Sequence, residues 1–511
     1  MVSSDGMVSA VEVSRGASYL SIQTVVTTAA QIFSFAILAR IITPSEVGIL
    51  AVLSLITALS QSINGAAFQQ ATMKYVGEAA GAKEGFAAGV FYQTLRVSMI
   101  ISVPMAGIIF IGAGTLAQVL LGAASQAGLF EVLALDILVY AGALPVANGA
   151  VLGAKRFKAS AAIGTAGGVL RQCLIILLIL LMKSFIGLVY AWFLSDFVLL
   201  MVYGWYAYRT LGFEFAKNSF PLRKLLSFSW PLSIGSLVTF AYSYFDRAIL
   251  VAFVSLASLG VYNAALTAAT VLAGVSTAFA NALLPVYSKI GGFGALENCR
   301  KATWLSSRYV SLVMVPLAFG LLATAKPALT LFVGQAYIGG TLPLMIFCLA
   351  SALTAFGLVL TPMLTALART RMIMLITISS FALGLVSAYA LLPFIGFVAA
   401  AIARDIAAVT TVALTVLALK RIQAMRVDVE MAWKTLVAGG VMAGALIIVQ
   451  RLIYSEILLP AYVVLGAIIY LTLLRALNAV RKHDLELVDK YLGARLGFVA
   501  RLLSVILLTR G

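Results

Sequence analysis

The sequence predicts an all-α, multi-pass membrane protein with about fourteen transmembrane helices, and three observations lead there. Hydrophobic residues make up 62% of the 511-residue chain and charged residues only 10%, against roughly 25% charged in soluble domains. Mean hydropathy is +1.07, so the solvent of most of this chain is lipid. The apolar residues are gathered into runs that each approach the ~20 residues a spanning helix needs.

In order, the predicted spans are residues 17–40, 46–71, 86–111, 128–151, 159–182, 185–208, 228–253, 258–285, 303–324, 341–366, 372–393, 396–419, 434–454 and 457–478. The first follows a short polar start containing Asp5, Glu12 and Arg15, with no basic stretch, apolar core and small-residue cleavage site in sequence; it reads as a retained entry helix rather than a removable signal peptide. The remaining spans are divided by basic punctuation. Lys155, Arg156 and Lys158 separate spans four and five, and Lys183-Ser184 turns five into six. Arg209, Lys217, Arg223 and Lys224 precede span seven, and Lys289, Arg300 and Lys301 precede span nine. Arg369 and Arg371 precede span eleven, and Lys420, Arg421 and Arg426 precede span thirteen.

With the N-terminus in the cytoplasm all these clusters except the Lys183 turn fall on one side, together with the C-terminal tail. The opposite connections hold only Arg40, Lys183, Lys326 and Arg451. The positive-inside rule therefore puts both termini in the cytoplasm, in the cell (cytoplasmic) membrane. In the tail, residues 479–511, Leu485, Val488, Leu492, Leu496 and Val499 recur at helical spacing against Lys482, Lys490, Arg495 and Arg501. This predicts a basic amphipathic helix on the anionic inner surface, or else a partner-binding tail.

The net charge of +17 comes as short clusters between apolar runs, so it speaks for the membrane and against nucleic acid. Cys173, Cys299 and Cys348 are scattered, and His483 is the only histidine, so no disulfide framework, metal site or cofactor is expected.

The chain also repeats itself. Laying residues 17–48 over 229–260, an ungapped offset of 212, matches 11 of 32 positions, among them Leu20-Ser21-Ile22 with Leu232-Ser233-Ile234, Ala36-Ile37-Leu38 with Ala248-Ile249-Leu250, and Gly48 with Gly260. Six spans separate the copies, so both enter the membrane in the same sense, as parallel repeats around a pseudo-two-fold along the membrane normal. The expected organisation is an N-terminal lobe with its cytoplasmic linker (1–227, spans one to six), a second lobe (228–419, spans seven to twelve), an appended helix pair (420–478) and the tail (479–511). The longest outer connections, 112–127 and 325–340, are too short for a catalytic domain, which favours a transporter over an enzyme.

Ionisable residues inside a bilayer cost ~2.5–3.5 kcal/mol each on insertion scales, so they mark pathways, partners or cavities. Arg171 in span five and Asp196 in span six lie equally far from the Lys183 turn and hence at one depth, given ~1.5 Å rise per residue; an ion pair is available, which would either serve transport or merely lock two helices. Asp246 and Arg247 are adjacent in span seven, ~100° apart around the helix, at positions where the first copy has Ser34 and Phe35. Arg40, Arg96, Glu131, Asp136, Arg308 and the adjacent Arg404 and Asp405 complete the set. Arginines in a cavity suit a phosphate or pyrophosphate, which the guanidinium fork binds bidentately. Tyr242, Tyr244 and Trp230, with Trp192 and Tyr19, offer faces for sugar rings or act as interface anchors.

Four stretches carry a family resemblance: Ala39-Arg40-Ile41-Ile42-Thr43-Pro44-Ser45-Glu46-Val47-Gly48; Gly153-Ala154-Lys155-Arg156-Phe157-Lys158; Phe245-Asp246-Arg247-Ala248-Ile249-Leu250 with Leu259-Gly260-Val261-Tyr262-Asn263-Ala264-Ala265; and Asn281-Ala282-Leu283-Leu284-Pro285. Over spans one to twelve the chain resembles the polysaccharide transporter family of flippases for lipid-linked oligosaccharides such as O-antigen units, within the multidrug/oligosaccharidyl-lipid/polysaccharide exporter superfamily. The resemblance implies two six-helix bundles and alternating access. Its implied cargo is a polyprenyl-phosphate or polyprenyl-pyrophosphate glycan moved from the inner to the outer leaflet for cell-surface polysaccharide assembly, with glycan-assembly enzymes as partners. It further implies a cationic cavity, mapped here onto Arg247 first, then Arg171, Arg96 and Arg40. Ion coupling, to H+ or Na+, or simple intramembrane pairing would fall to Asp246, Asp196, Asp136, Glu131, Arg404 and Asp405. Peptidoglycan-precursor flippases of the superfamily carry several arginines in the first two spans; Arg40 alone stands there, which speaks against that substrate. The competing readings are a cation-coupled multidrug exporter, which calls for a cavity dominated by acids, and a membrane glycosyltransferase or polymerase, which calls for a large outer loop.

Overall fold

The computed structural model describes residues 4–79, 86–211, 220–291, 296–422 and 427–479. The amphipathic tail expected over 479–511 lies outside them from residue 480 on, as do Lys217 and Arg426. Among the described residues all regular structure is helical. Fourteen helices are long and apolar enough to cross a membrane: Ser18–Ile41, Pro44–Ala79, Phe86–Ile111, Ala124–Gly153, Phe157–Met182, Ile186–Leu211, Leu222–Phe253, Leu256–Leu283, Glu297–Ala323, Gln335–Gly357, Thr370–Ile395, Val398–Arg421, Val429–Leu452 and Leu459–Ala476. These are spans one to fourteen below, and the protein is a multi-pass membrane protein.

Local chemistry sets the ends of these helices. Thr43 and Glu46 form a reciprocal capping box at the start of span two, with the Thr43 amide donating to Glu46 Oε2 at 2.7 Å and Pro44 at the first helical position; both satisfy amides that a helix start leaves orphaned. Span five stops where Lys183 turns left-handed (φ 49°), and span eleven stops at Gly396 (φ 58°). Span two runs past its expected end at residue 71 because its last turns are held: Tyr75 is buried beside Phe220 and Phe228, and Lys74 lies 4.1 Å above the Phe228 ring.

The internal duplication reappears in the helix boundaries. Span one ends at Ile41 and span seven at Phe253; span two begins at Pro44 and span eight at Leu256; span three ends at Ile111 and span nine at Ala323, each pair 212 residues apart. The connections after spans three and nine repeat too, starting with the short helices Ala113–Leu116 and Ala325–Val333. The matched glycines explain one shared constraint. A Cβ on Gly48 would fall 2.0 Å from the Leu256 carbonyl oxygen, and one on Gly260 would fall 1.8 Å from that of Pro44. The first turns of spans two and eight thus cross backbone to backbone, each at the other's helix start, and only glycine fits there.

By contacts the chain divides into two compact units, Met1–Gly260 and Val261–Gly511. In the first, span five packs on spans one and six, and span seven packs on span two. Its core gathers Phe68, Tyr75, Phe91, Val146, Tyr203, Phe220 and Leu225. In the second, span nine packs on spans ten and thirteen and span eleven on twelve. Met431, Met442, Leu446, Tyr462 and Tyr470 bind the last two spans to Phe319 of span nine.

One buried ion pair fastens that appendage. Arg308 of span nine, 4% exposed, donates from Nη1 to Asp428 Oδ2 at 2.9 Å and from Nη2 to the Ala479 carbonyl at 2.8 Å. The other Asp428 oxygen accepts the Met431 amide at 2.9 Å and so caps span thirteen. Span ten departs from expectation: it breaks at a 3-10 turn over Ala355–Val359 before a last short helix, Leu360–Ala366.

Candidate functional site

Span seven builds the candidate site. Leu232, Gly235, Ser236, Thr239, Phe240, Ser243 and Tyr244 recur every three or four residues and so lie on one helix face. That face lines a groove of about 500 Å³ whose other wall is Ser62, Ala66 and Gln70 of span two. A volume of this size accommodates a small polar ligand. Pro231, inside span seven, stands at one end of the groove. The hydroxyls have their own protons committed, Ser62 to the Ala58 carbonyl at 2.8 Å and Thr239 to that of Gly235 at 2.9 Å. Their oxygens therefore remain as acceptors, while the Gln70 amide can both donate and accept. Such a lining matches the hydroxyls of sugars.

Arg247 stands one turn beyond Ser243 and Tyr244. Its Nη2 donates to the Ser243 carbonyl at 3.2 Å, and its guanidinium lies 4.0 Å from the Tyr244 ring centroid. Its Nε is buried without a hydrogen-bond partner, and among the described residues no carboxylate pairs with it. A cation held on an aromatic face without a counter-ion is a place for an anion. The neighbouring Asp246 is fully buried while Arg247 is half-exposed, the divergence that ~100° of helix rotation imposes.

A second charged group lies in the same unit. Arg171 of span five grips Asp196 of span six through one nitrogen, at 2.8 and 3.1 Å to the two carboxylate oxygens. Trp192 and Tyr140 flank the guanidinium at 5.0 and 5.5 Å. Asp136 of span four is fully buried, and neither of its carboxylate oxygens has a hydrogen-bond partner among the described residues. Each of the two guanidiniums thus lies against an aromatic ring, Arg171 beside Tyr140 and Arg247 beside Tyr244.

Spans two and four are not continuous α-helices: each contains a π turn, Gln61–Gly65 and Leu138–Ala143. The buried Asn64 joins them, with Nδ2 within 2.6–3.1 Å of the Ser98 carbonyl and hydroxyl, the Ser102 hydroxyl and the Ala141 carbonyl. Ser98 donates to the Gly142 carbonyl at 2.8 Å. Single π turns recur at functional sites, and here one contributes Ser62 to the groove and the other holds Tyr140 beside Arg171.

The remaining expected site residues lie elsewhere. Arg96 is exposed on span three and Glu131 on span four; Arg40 is exposed at the end of span one. Trp230 is 68% exposed, although it directly precedes the groove residue Pro231, and Tyr19 is 39% exposed. Tyr242 is half-buried on span seven. Arg404 and Asp405 are half-buried in the second unit. Sequence reasoning missed Ser62, Gln70, Ser236, Thr239, Asn64 and Tyr140. The small and polar residues at 235, 236, 239 and 243, spaced by one helix turn through an apolar span, were the available signal.

Comparison with known proteins bears on this arrangement. The fold matches the lipid II flippase MurJ in an inward-closed conformation, with a TM-score of 0.69 and 13% identity over 89% of this chain and 97% of that one. It matches an inward-facing multidrug resistance MATE family transporter of the MOP superfamily at a TM-score of 0.62 and 16% identity, over 83% of this chain and 95% of that one. An outward-facing MATE transporter follows at a TM-score of 0.56 and 16% identity, over 84% and 96%. No curated protein matches by sequence. The model of the polysaccharide biosynthesis protein family matches residues 37–340, from the end of span one to the start of span ten. With well over half the chain inside that match, the protein belongs to the polysaccharide biosynthesis protein family.

Proposed function

We propose that the chain is a flippase that carries a polyprenyl-phosphate- or polyprenyl-pyrophosphate-linked oligosaccharide from the cytoplasmic to the outer leaflet by alternating access. The observation that carries this reading is Arg247: a cation with no carboxylate partner among the described residues, held on the ring of Tyr244, which itself lines the hydroxyl-rich groove. Phosphate pairs with the guanidinium, sugars lie along Ser236, Thr239 and Gln70, and Tyr244 serves both. The polyprenyl tail stays in lipid. The groove is lined by span two of the first copy and span seven of the second, so rocking of the two copies changes its width. On this reading the protein works as a transporter in the cell membrane with both termini cytoplasmic, and it does so without an enzyme's chemistry or a cofactor.

Export of organic cations is the competing reading, because the MATE transporters share the fold. The charge at the groove separates the two: an unpaired guanidinium repels a cationic drug and attracts a phosphate. Labelling tests the assignment directly. With Cys173 replaced by serine, Ser236→Cys is expected to react with a polar maleimide. A polyprenyl-pyrophosphate oligosaccharide is expected to slow the reaction at least fivefold, and polyprenyl phosphate without sugars to slow it much less. Equal protection by both lipids, or protection by organic cations alone, contradicts a glycan-binding groove.

A further inference from the structure

A cluster of charge stands at the end of the groove away from Arg247. Span two continues past the groove residue Gln70 to Lys74 and Glu78, and span seven begins with Lys224 and Phe228 before it reaches the groove residue Leu232. Lys74 Nζ lies 4.1 Å from the Phe228 ring centroid and 5.2 Å from that of Tyr75. Lys224 Nζ lies 5.1 Å from the same Tyr75 ring and 5.7 Å from that of Phe220. Two ammoniums are thus gathered around one ring. The frame beneath them is fixed: Tyr75 is 3% exposed, its hydroxyl donates to the Lys224 carbonyl at 3.2 Å, and its ring centroid lies 4.7 Å from that of Phe220.

The charges above that frame are held loosely. Glu78 stands 4.0 Å from Lys74 and 3.9 Å from Lys224, beyond hydrogen-bond range of both, and all three side chains are about half-exposed. Ion pairs of this kind contribute little. Among the described residues the two ammoniums share this one carboxylate, which leaves a positive charge over. A diphosphate supplies what the cluster lacks, more than one negative charge and oxygens enough to meet two separate donors. The cluster also sits where the helices end, Ala79 closing span two and Leu222 opening span seven, the depth at which lipid headgroups lie.

We propose that Lys74 and Lys224 form a receiving site for a lipid-borne diphosphate, in which Glu78 holds the anion's place until the lipid displaces it. With both termini cytoplasmic, this end of the groove faces the inner leaflet. Lys224 and Arg247 are 23 residues apart on span seven, about 35 Å along the helix, so the headgroup has one cationic station at entry and another beyond the hydroxyls. Glu78 makes the first station selective. A singly charged phospholipid headgroup gains little by exchanging with a carboxylate of like charge, whereas a diphosphate brings the additional charge that displaces it. Identifying the diphosphate with the cargo rests on the flippase reading; the anion site itself does not.

Equilibrium binding of polyprenyl diphosphate without sugars, to the full chain in nanodiscs of neutral phosphatidylcholine, reads this site without transport. Arg247→Ala is the background throughout, so that the far station does not contribute. Lys74→Gln together with Lys224→Gln is expected to weaken binding ~10-fold or more, the scale of losing ionised donors. Glu78→Gln is expected to tighten it about two- to fivefold, the range that exposed ion pairs span. It should also admit phosphatidylglycerol, a poor ligand while Glu78 is in place. A cluster that only braces the helix ends has no reason to bind better without its carboxylate. Binding unchanged by the double lysine variant, or unaltered or weakened by Glu78→Gln, overturns the receiving site. Phosphatidylglycerol bound as tightly as the diphosphate with Glu78 in place makes the ligand a bulk phospholipid and overturns the selection. Binding as expected in a protein that moves no glycan lipid in liposomes overturns the flippase reading and leaves the diphosphate site standing.

Discussion

Arg247→Ala is expected to slow transbilayer movement of a polyprenyl-pyrophosphate oligosaccharide in liposomes by ~10- to 100-fold, the equivalent of the roughly 1.5–3 kcal/mol that a hydrogen bond to a charged group contributes. Arg247→Lys is expected to recover only part of the rate, because an ammonium keeps the charge and loses the two-pronged fork. Folding is expected to survive either change. Among the described residues Arg247 has no carboxylate to strand, and the contacts it would lose are one carbonyl hydrogen bond and the face of Tyr244, about 1 kcal/mol at a partly exposed site. A melting temperature close to wild type with a collapsed rate assigns the residue to binding. A rate within twofold of wild type removes Arg247 from the pathway.

The opposite pattern is expected at Arg308. Removing this guanidinium leaves Asp428 buried and uncompensated and frees the Ala479 carbonyl, and breaking such a pair typically costs about 3–5 kcal/mol. Arg308→Ala should therefore lower the melting temperature by several degrees and loosen the last two spans, which proteolysis between spans twelve and thirteen would report. Arg308→Met combined with Asp428→Asn should recover much of the loss, since the asparagine still caps span thirteen and no charge is left unpaired. If the single variant melts like wild type, the pair is not what fastens the appendage.

These two arginines show what sequence can and cannot disclose here. Both were visible as intramembrane charges, because a charge in an apolar run stands out whatever its partner. Depth along a helix was also legible: counting from Lys183 put Arg171 level with Asp196, and the structure pairs them at 2.8 Å. The fourteen helices and their repeat could be read because apolar length and an ungapped register survive without knowledge of packing. Rotation about a helix axis could not be read. Depth alone ranked Arg96 with Arg171, yet Arg96 is exposed and Arg171 lies against Asp196. The partner of Arg308 is Asp428, 120 residues away in a connection, and no local pattern announces so distant a neighbour. The π turns were hidden for a related reason. A π turn depends on which neighbours hold it, and for Gln61–Gly65 the Asn64 side-chain amide donates to carbonyl oxygens on spans three and four. The groove's polar residues are individually unremarked serines, threonines and a glutamine; they become a site only when span seven lies along span two.

The central claim is that the cargo is a lipid-linked glycan carried by its phosphate. The most direct test is to reconstitute the wild-type protein in liposomes and compare the rate at which a labelled polyprenyl-pyrophosphate oligosaccharide crosses the bilayer with the rate of organic-cation efflux from the same vesicles, under imposed proton and sodium gradients. The account predicts glycan-lipid movement well above that of protein-free liposomes and cation efflux indistinguishable from theirs. Cation efflux without glycan-lipid movement would contradict it and assign the groove to small-molecule export.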